Sequence, residues 1–197
     1  MEILLEIHNI DILCICESWL HPSIRNDFIN IPSYDIYRED LGRGGGVCVY
    51  VKDHLKVNEI RNGNARQEGV ECIWLSVQHR YLPSFIIGCL YRHPKASVES
   101  FNYILDSFKN VLLRNKNIFI FGDFNDNLLN HENKMTKMVK SLKLEQLVSK
   151  PTRITPDSAT LIDLMITNNN NNKIIIIKPL LPILHWFFSL HCIRVHT

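Results

Sequence analysis

Asp123 and Asn125 follow an apolar run, residues 118–122, that has no helical spacing and ends on Gly122. Such a run reads as a short buried strand. If the extended geometry continues past it, side chains two apart project to one side. A carboxylate acceptor then stands beside an amide that both donates and accepts. That pair suits phosphate chemistry, because the carboxylate can take a proton from a water while the amide holds the water or a phosphoryl oxygen. A polar turn closing a core strand would use the same residue types. Glu17 leaves a second apolar run, residues 10–16, and an acid there needs water, a partner or a cation. A solvated strand end meets that need as well. Tyr91 and Arg92 end a third run, where a hydroxyl donor and a bidentate guanidinium could grip a phosphate, or where an aromatic ring could pack ahead of a turn. Asp163 sits inside a fourth run, residues 160–167, and an acid in the middle of a core strand requires a partner.

The elements that must carry these groups alternate along the chain. Residues 1–8 suit the end of a helix, stopped at Asn9, and residues 10–16 a buried strand. After a loop over 22–32 come strands at 34–37 and 47–51, joined through Gly42-Arg43-Gly44-Gly45-Gly46. That stretch reads as a hairpin turn, since a phosphate-cradling loop would end in Gly-Lys-Ser/Thr and open a helix. Residues 70–78 and 85–91 form a meander. Val98, Phe101, Ile104, Leu105, Phe108, Val111 and Leu112 mark one face of a helix over 97–113 with Ser97 as its N-cap. Met135, Met138, Val139 and Leu142 mark another. Residues 151–153 open a loop, the asparagine run 168–172 is low-complexity loop, and 174–177 suits a further strand.

With 197 residues, 46% hydrophobic and 21% charged, the chain fits one globular domain over residues 1–197. A net charge of +2 argues neither for nor against nucleic acid, which responds to clustered basic surface. The six cysteines form no C-x-x-C pair and no zinc spacing, and they read as buried thiols. No secretory leader is evident, so the expected setting is intracellular and reducing, nuclear or cytoplasmic, not secreted. The apolar run 179–193 contains Pro179, Pro182, His185 and His191 and falls short of the roughly 20 residues of a membrane span. The chain is expected to be soluble, with no membrane partner.

Gly122-Asp123-Phe124-Asn125 resembles the Gly-Asp-Phe-Asn signature of the endonuclease/exonuclease/phosphatase superfamily, the fold of apurinic endonucleases and deoxyribonuclease I. More closely, the chain is similar to the endonuclease domain of LINE-type non-LTR retrotransposons. Glu17-Ser18-Trp19-Leu20 matches that family's Glu-Thr-Trp-Leu with Ser for Thr. Tyr91 and Pro94 match its Tyr-x-x-Pro, and the Gly-Gly-Gly turn recurs. Pro151-Thr152-Arg153 followed by Thr160-Leu161-Ile162-Asp163 matches its late signature.

The resemblance implies a four-layer α/β sandwich, two mixed sheets flanked by helices. It also implies Mg2+, with Mn2+ possible, held by Glu17, and DNA as the substrate, nicked to leave a 3′-hydroxyl for a reverse transcriptase expected in the parent element. Asp123 would activate or orient the water, Asn125 would position it, Tyr91 and His185 would contact the phosphate, and Asp163 would support them.

Two departures touch the chemistry. Against the family pattern, a first strand carrying a catalytic Asn is expected to be missing ahead of the first helix, which would leave two neighbouring strands with unpaired backbone. In the terminal Ser-Asp-His element, leucine replaces aspartate, whether the match is Leu184-His185 or Leu190-His191. A histidine without its carboxylate loses orders of magnitude in rate. The expectation is therefore an impaired nuclease, divergent over 179–197. The alternatives are a non-catalytic remnant that binds DNA or protein, and a phosphomonoesterase or phosphoinositide phosphatase on the same fold.

Overall fold

The structure, a computed structural model, describes residues 2–61, 67–114, 116–130, 132–168, 174–177 and 189–195. A short helix α1 (Glu2–Ile7) leads into β1 (Ile12–Cys16), β2 (Tyr34–Glu39), β3 (Val47–Lys52), β4 (Lys56–Glu59), β5 (Val70–His79) and β6 (Leu82–Arg92). Then come α2 (Ser100–Leu112), β7 (Asn117–Asp123), α3 (Lys134–Ser141), β8 (Glu145–Gln146), β9 (Arg153–Ile154), β10 (Ala159–Thr160), β11 (Asp163–Thr167), β12 (Ile174–Ile177) and β13 (Ser189–Val195).

Two large sheets result, one ordered β12-β13-β1-β3-β2 and the other β4-β5-β6-β7-β11-β8. The second is mixed, because β6 and β7 run parallel while their outer neighbours run antiparallel. The described pairs of the first are all antiparallel, so only one of the two sheets is mixed, where both were expected to be. Alternation explains the layers. In β1 and β3, Ile12, Cys14, Cys16, Val47, Val49 and Val51 meet Leu75, Phe85, Ile87, Phe119 and Phe121 of the second sheet in one shared core. The alternate residues Leu13, Ile15, Cys48 and Tyr50 face outward onto Leu5 of α1 and Ile10. On the far side, Trp74, Ile86, Ile118 and Ile120 pack against Ile104, Phe108 and Val111 of α2 and Met135 of α3. This is the four-layer α/β sandwich that the sequence leads one to expect.

Some local expectations change. Helix α2 begins at Ser100, and Ser97 contributes its carbonyl, accepting from the Ser100 amide at 3.2 Å, instead of capping with its side chain. Strand β4 and the β9–β10 hairpin are too short and too polar to show as apolar runs. Asp163 opens β11 and does not lie in its middle. Nor does β1 present an open edge: β3 pairs along one side and β13 along the other, from Cys16 opposite Ser189 to Ile12 opposite Ile193. Among the described residues, no helix is long and apolar enough to cross a membrane. The asparagine run after Asn168 and, of the divergent stretch 179–197, residues 179–188 and 196–197 lie outside the described residues.

Candidate active site

Register places four functional groups in one row. On adjacent strands of the six-stranded sheet, Glu71 of β5 pairs with Tyr91 of β6, Tyr91 with Asp123 of β7, and Asp123 with Asp163 of β11. Residues on one rung share a face, and the Tyr91 ring is part of the core between the sheets. The row therefore lies at one end of that core, where strands end or begin. Gly122 makes the rung possible: a β-carbon there would lie 2.0 Å from the Leu90 carbonyl oxygen on the neighbouring parallel strand.

Glu17 reaches this row from the opposite sheet. It directly follows β1, at a left-handed φ of 54°. The Tyr91 hydroxyl donates to its Oε1 at 2.7 Å. Burial and then Glu17 push the Tyr91 phenol far above its ordinary value, so it stays a donor across the working pH range. Burial pushes Asp123 well above the usual carboxylate range, and the charges of Asp163 and Glu17 add to it, while the Asn125 amide and Arg153 pull the other way. The Asn125 backbone N–H donates to Asp123 Oδ1 at 2.9 Å. Asp163, 5% exposed, is set by Thr152, whose hydroxyl oxygen accepts from the Asp163 and Ile162 amides at 3.1 and 3.2 Å. This gives the Pro-Thr-Arg stretch a structural task.

The structure thus brings Glu17, Tyr91, Asp123 and Asp163 together, with Asn125 beside them. The extended geometry does not continue past Asp123, however. Asn125 has φ 46° and its Nδ2 donates to the Arg92 carbonyl at 2.9 Å, so it folds back under Asp123 and is not its same-side neighbour on a strand. Arg92 is not a phosphate clamp. It is 6% exposed, its Nε donates to Ser100 Oγ at 2.8 Å and its Nη2 to the Ala96 carbonyl at 3.0 Å, and its guanidinium lies over the Phe101 ring. His185 lies outside the described residues. The backbone of His191 pairs with Cys14, two residues into the sheet from the end that carries Glu17. Glu71 was legible by the same signal as Glu17, an acid set in an apolar strand, whereas nothing but its place in a motif distinguishes Thr152.

Two sheets packed face to face, helices outside, and a carboxylate cluster at the strand ends define a deoxyribonuclease I-like sandwich. The model of the Endonuclease/Exonuclease/phosphatase family matches residues 2–171, and the chain belongs to that family. Among solved structures, the endonuclease domain of TRAS1, a telomere-specific non-LTR retrotransposon, aligns at 16% identity and TM-score 0.60, covering 85% of this chain and 83% of that one. The human Nocturnin catalytic domain with bound sulfate aligns at 12% identity and TM-score 0.62, covering 98% and 83%. The D. rerio TDP2 complexed with a single-strand DNA product aligns at 11% identity and TM-score 0.57, covering 96% and 88%. A comparison with curated proteins finds no match.

Enzymes of this family generally use divalent metals. The donor set here fits one. Glu17, Asp123 and Asp163 offer hard oxygen ligands, and the charges of Asp163 and Glu17 add to burial in raising the proton affinity of Asp123, a repulsion that a dication relieves. Among the described residues, no group of three or more His, Cys, Asp or Glu side chains is placed to hold a metal ion. An ion that takes one or two carboxylates and completes its shell with water and substrate oxygens, as magnesium does, needs no such group.

Proposed function

We propose that this chain is a divalent-metal-dependent phosphodiesterase of the retrotransposon endonuclease type, which nicks DNA, and that it works at an impaired rate. The observation that carries the reading is the convergence of Glu17, Tyr91, Asp123 and Asp163 from two sheets onto one end of the sandwich. The DNA substrate is supported by the nucleic-acid proteins among its structural neighbours and by the LINE-type motifs around Glu17, Thr152 and Asp163.

Glu17 would hold Mg2+, with Mn2+ an acceptable substitute, and the ion would supply charge stabilisation at the phosphoryl oxygens. Asp123, once ionised, takes a proton from the attacking water, and the Asn125 side-chain oxygen holds that water. The water oxygen bonds to phosphorus as the bond to the 3′ oxygen breaks, and the departing 3′ oxygen takes a proton from solvent, leaving a 3′-hydroxyl and a 5′-phosphate. Tyr91, which keeps its proton, donates toward the reacting phosphate while steadying Glu17. Asp163 faces Asp123 and supports its orientation. His185 would contact the phosphate, but leucine at 184 leaves it without the carboxylate that would fix its tautomer. The setting proposed is inside the cell, with a reverse transcriptase expected in the parent element.

The test is nicking of supercoiled plasmid in Mg2+. The expected result is slow nicking that Asp123→Ala abolishes. Nicking as fast as an intact retrotransposon domain would overturn the impairment. Slow nicking that survives Asp123→Ala would remove the site, and complete inactivity with Mg2+ still bound would favour the non-catalytic remnant.

A further inference from the structure

We propose that Glu71 is a positioning residue, which grips the glycine turn ahead of β3 and through it fixes the backbone that presents Glu17. The task assigned to Glu17 rests on the function proposed above, whereas the grip itself does not.

Glu17 and Trp19 both occupy left-handed φ, at 54° and 53°. L-residues disfavour that region, so the segment after β1 needs outside support to stay there. The support comes from the turn. The Ser18 amide donates to the Gly46 carbonyl and the Trp19 amide to the Gly45 carbonyl, each at 3.0 Å. The turn is held in its own place from the other sheet. Glu71, 5% exposed, accepts from the Gly46 amide through Oε2 at 3.4 Å, a long but charge-assisted contact. The same oxygen lies 3.1 Å from where a β-carbon on Gly45 would stand. On Gly46, at φ 85°, a β-carbon would meet Ser18 Oγ at 2.7 Å. A β-carbon on Gly45 would also stand 2.5 Å from Leu41 Cδ2, so the turn packs closely against Leu41, Glu71 and Ser18. One residue further along β5, the Cys72 amide donates to Glu39 Oε2 at 3.0 Å, a second tie between β5 and the same hairpin.

The arrangement closes on itself. Glu71 and Tyr91 face each other on one rung. Tyr91 touches the Glu17 carboxylate directly, and Glu71 reaches the Glu17 backbone through the turn. A single rung of the six-stranded sheet therefore sets both the side chain and the main chain of a residue that belongs to the other sheet.

The experiment compares wild type with Glu71→Met, which keeps the length but has no acceptor, and with Glu71→Gln, which keeps an acceptor oxygen. Hydrogen exchange at the Ser18 and Trp19 amides is read by nuclear magnetic resonance without metal, and Mg2+ binding is read by calorimetry. In Glu71→Met, both amides are expected to exchange about tenfold faster while the Leu13 amide in β1 is unchanged. In Glu71→Gln they stay within about twofold of wild type. Mg2+ affinity falls in Glu71→Met and recovers in Glu71→Gln. Unchanged exchange at Ser18 and Trp19 in Glu71→Met overturns the proposal. If Glu71→Met does not fold, Glu71→Asp, one methylene too short to reach Gly46, must show the same faster exchange or the proposal fails. If Glu17→Gln leaves Mg2+ binding intact, the ion site is misassigned, and the exchange measurement alone decides the role of Glu71.

Discussion

Asp123 is where function costs stability. Its carboxyl is pushed well above the usual range, first by burial and next by Asp163 facing it across the strands. Between the ordinary aspartate range and that raised value, the folded protein still holds a proton that the unfolded chain has released. Stability therefore falls as pH rises through this window. In metal-free buffer, Asp123→Asn is expected to melt higher than wild type at neutral pH, with the difference gone below about pH 4. Thermal melts across pH check this, and a variant less stable at every pH would contradict it. The acids of the site could be picked out in the sequence because an acid that leaves an apolar run needs a reason. What spacing could not provide was direction. Arg92 follows Tyr91 immediately, yet alternation turns it into the helix layer against Phe101. Asn125 stands two after Asp123, but the chain has already bent into left-handed φ there.

At the scale of elements, the position of the site depends on how closely β6 and β7 approach. They are the parallel pair, and Leu90 sits opposite Gly122 one rung before Tyr91 and Asp123. Gly122→Ala places a methyl group against the Leu90 carbonyl, with no flexible side chain to yield. The expected loss is about 3 kcal/mol in denaturant unfolding, the upper part of what overpacking costs. A loss below about 1 kcal/mol would mean that the two strands part easily. The apolar strands and α2 were legible because their periodicities are long and clean. Strand β4 was not, since Lys56, Asn58 and Glu59 are exposed and only pairing with β5 makes the segment extended. The start of α2 was missed because Ser97 looks like a cap, while the backbone instead takes one more turn before Ser100.

For the whole molecule, the family resemblance implied the sandwich and the alternation of strands and helices permitted it, but neither told which strand lies beside which. That β13 would run along β1 and fill the edge expected to stand open depends on contacts some 180 positions apart in the chain, which no local pattern encodes. The two sheets also meet at a pair of thiols. Cys16, the last residue of β1, and Cys89 on β6 have their sulfurs 4.0 Å apart, and both are fully buried. The Cys16 sulfur donates to the Leu90 carbonyl at 3.3 Å, beside the rung that carries Tyr91. Contact with Cys89 and then burial push the Cys16 thiol well above its ordinary value, and burial and then contact with Cys14 do the same for Cys89, so neither is a ready nucleophile in the folded state. This makes the seam a built-in clock. A thiol reagent can modify Cys16 and Cys89 only when the halves of the sandwich separate, so their labelling is expected to be simultaneous and to match the unfolding rate seen by fluorescence. Labelling of Cys89 well ahead of Cys16 would reveal instead that the end bearing Tyr91 breathes by itself, opening and reclosing without the rest of the protein.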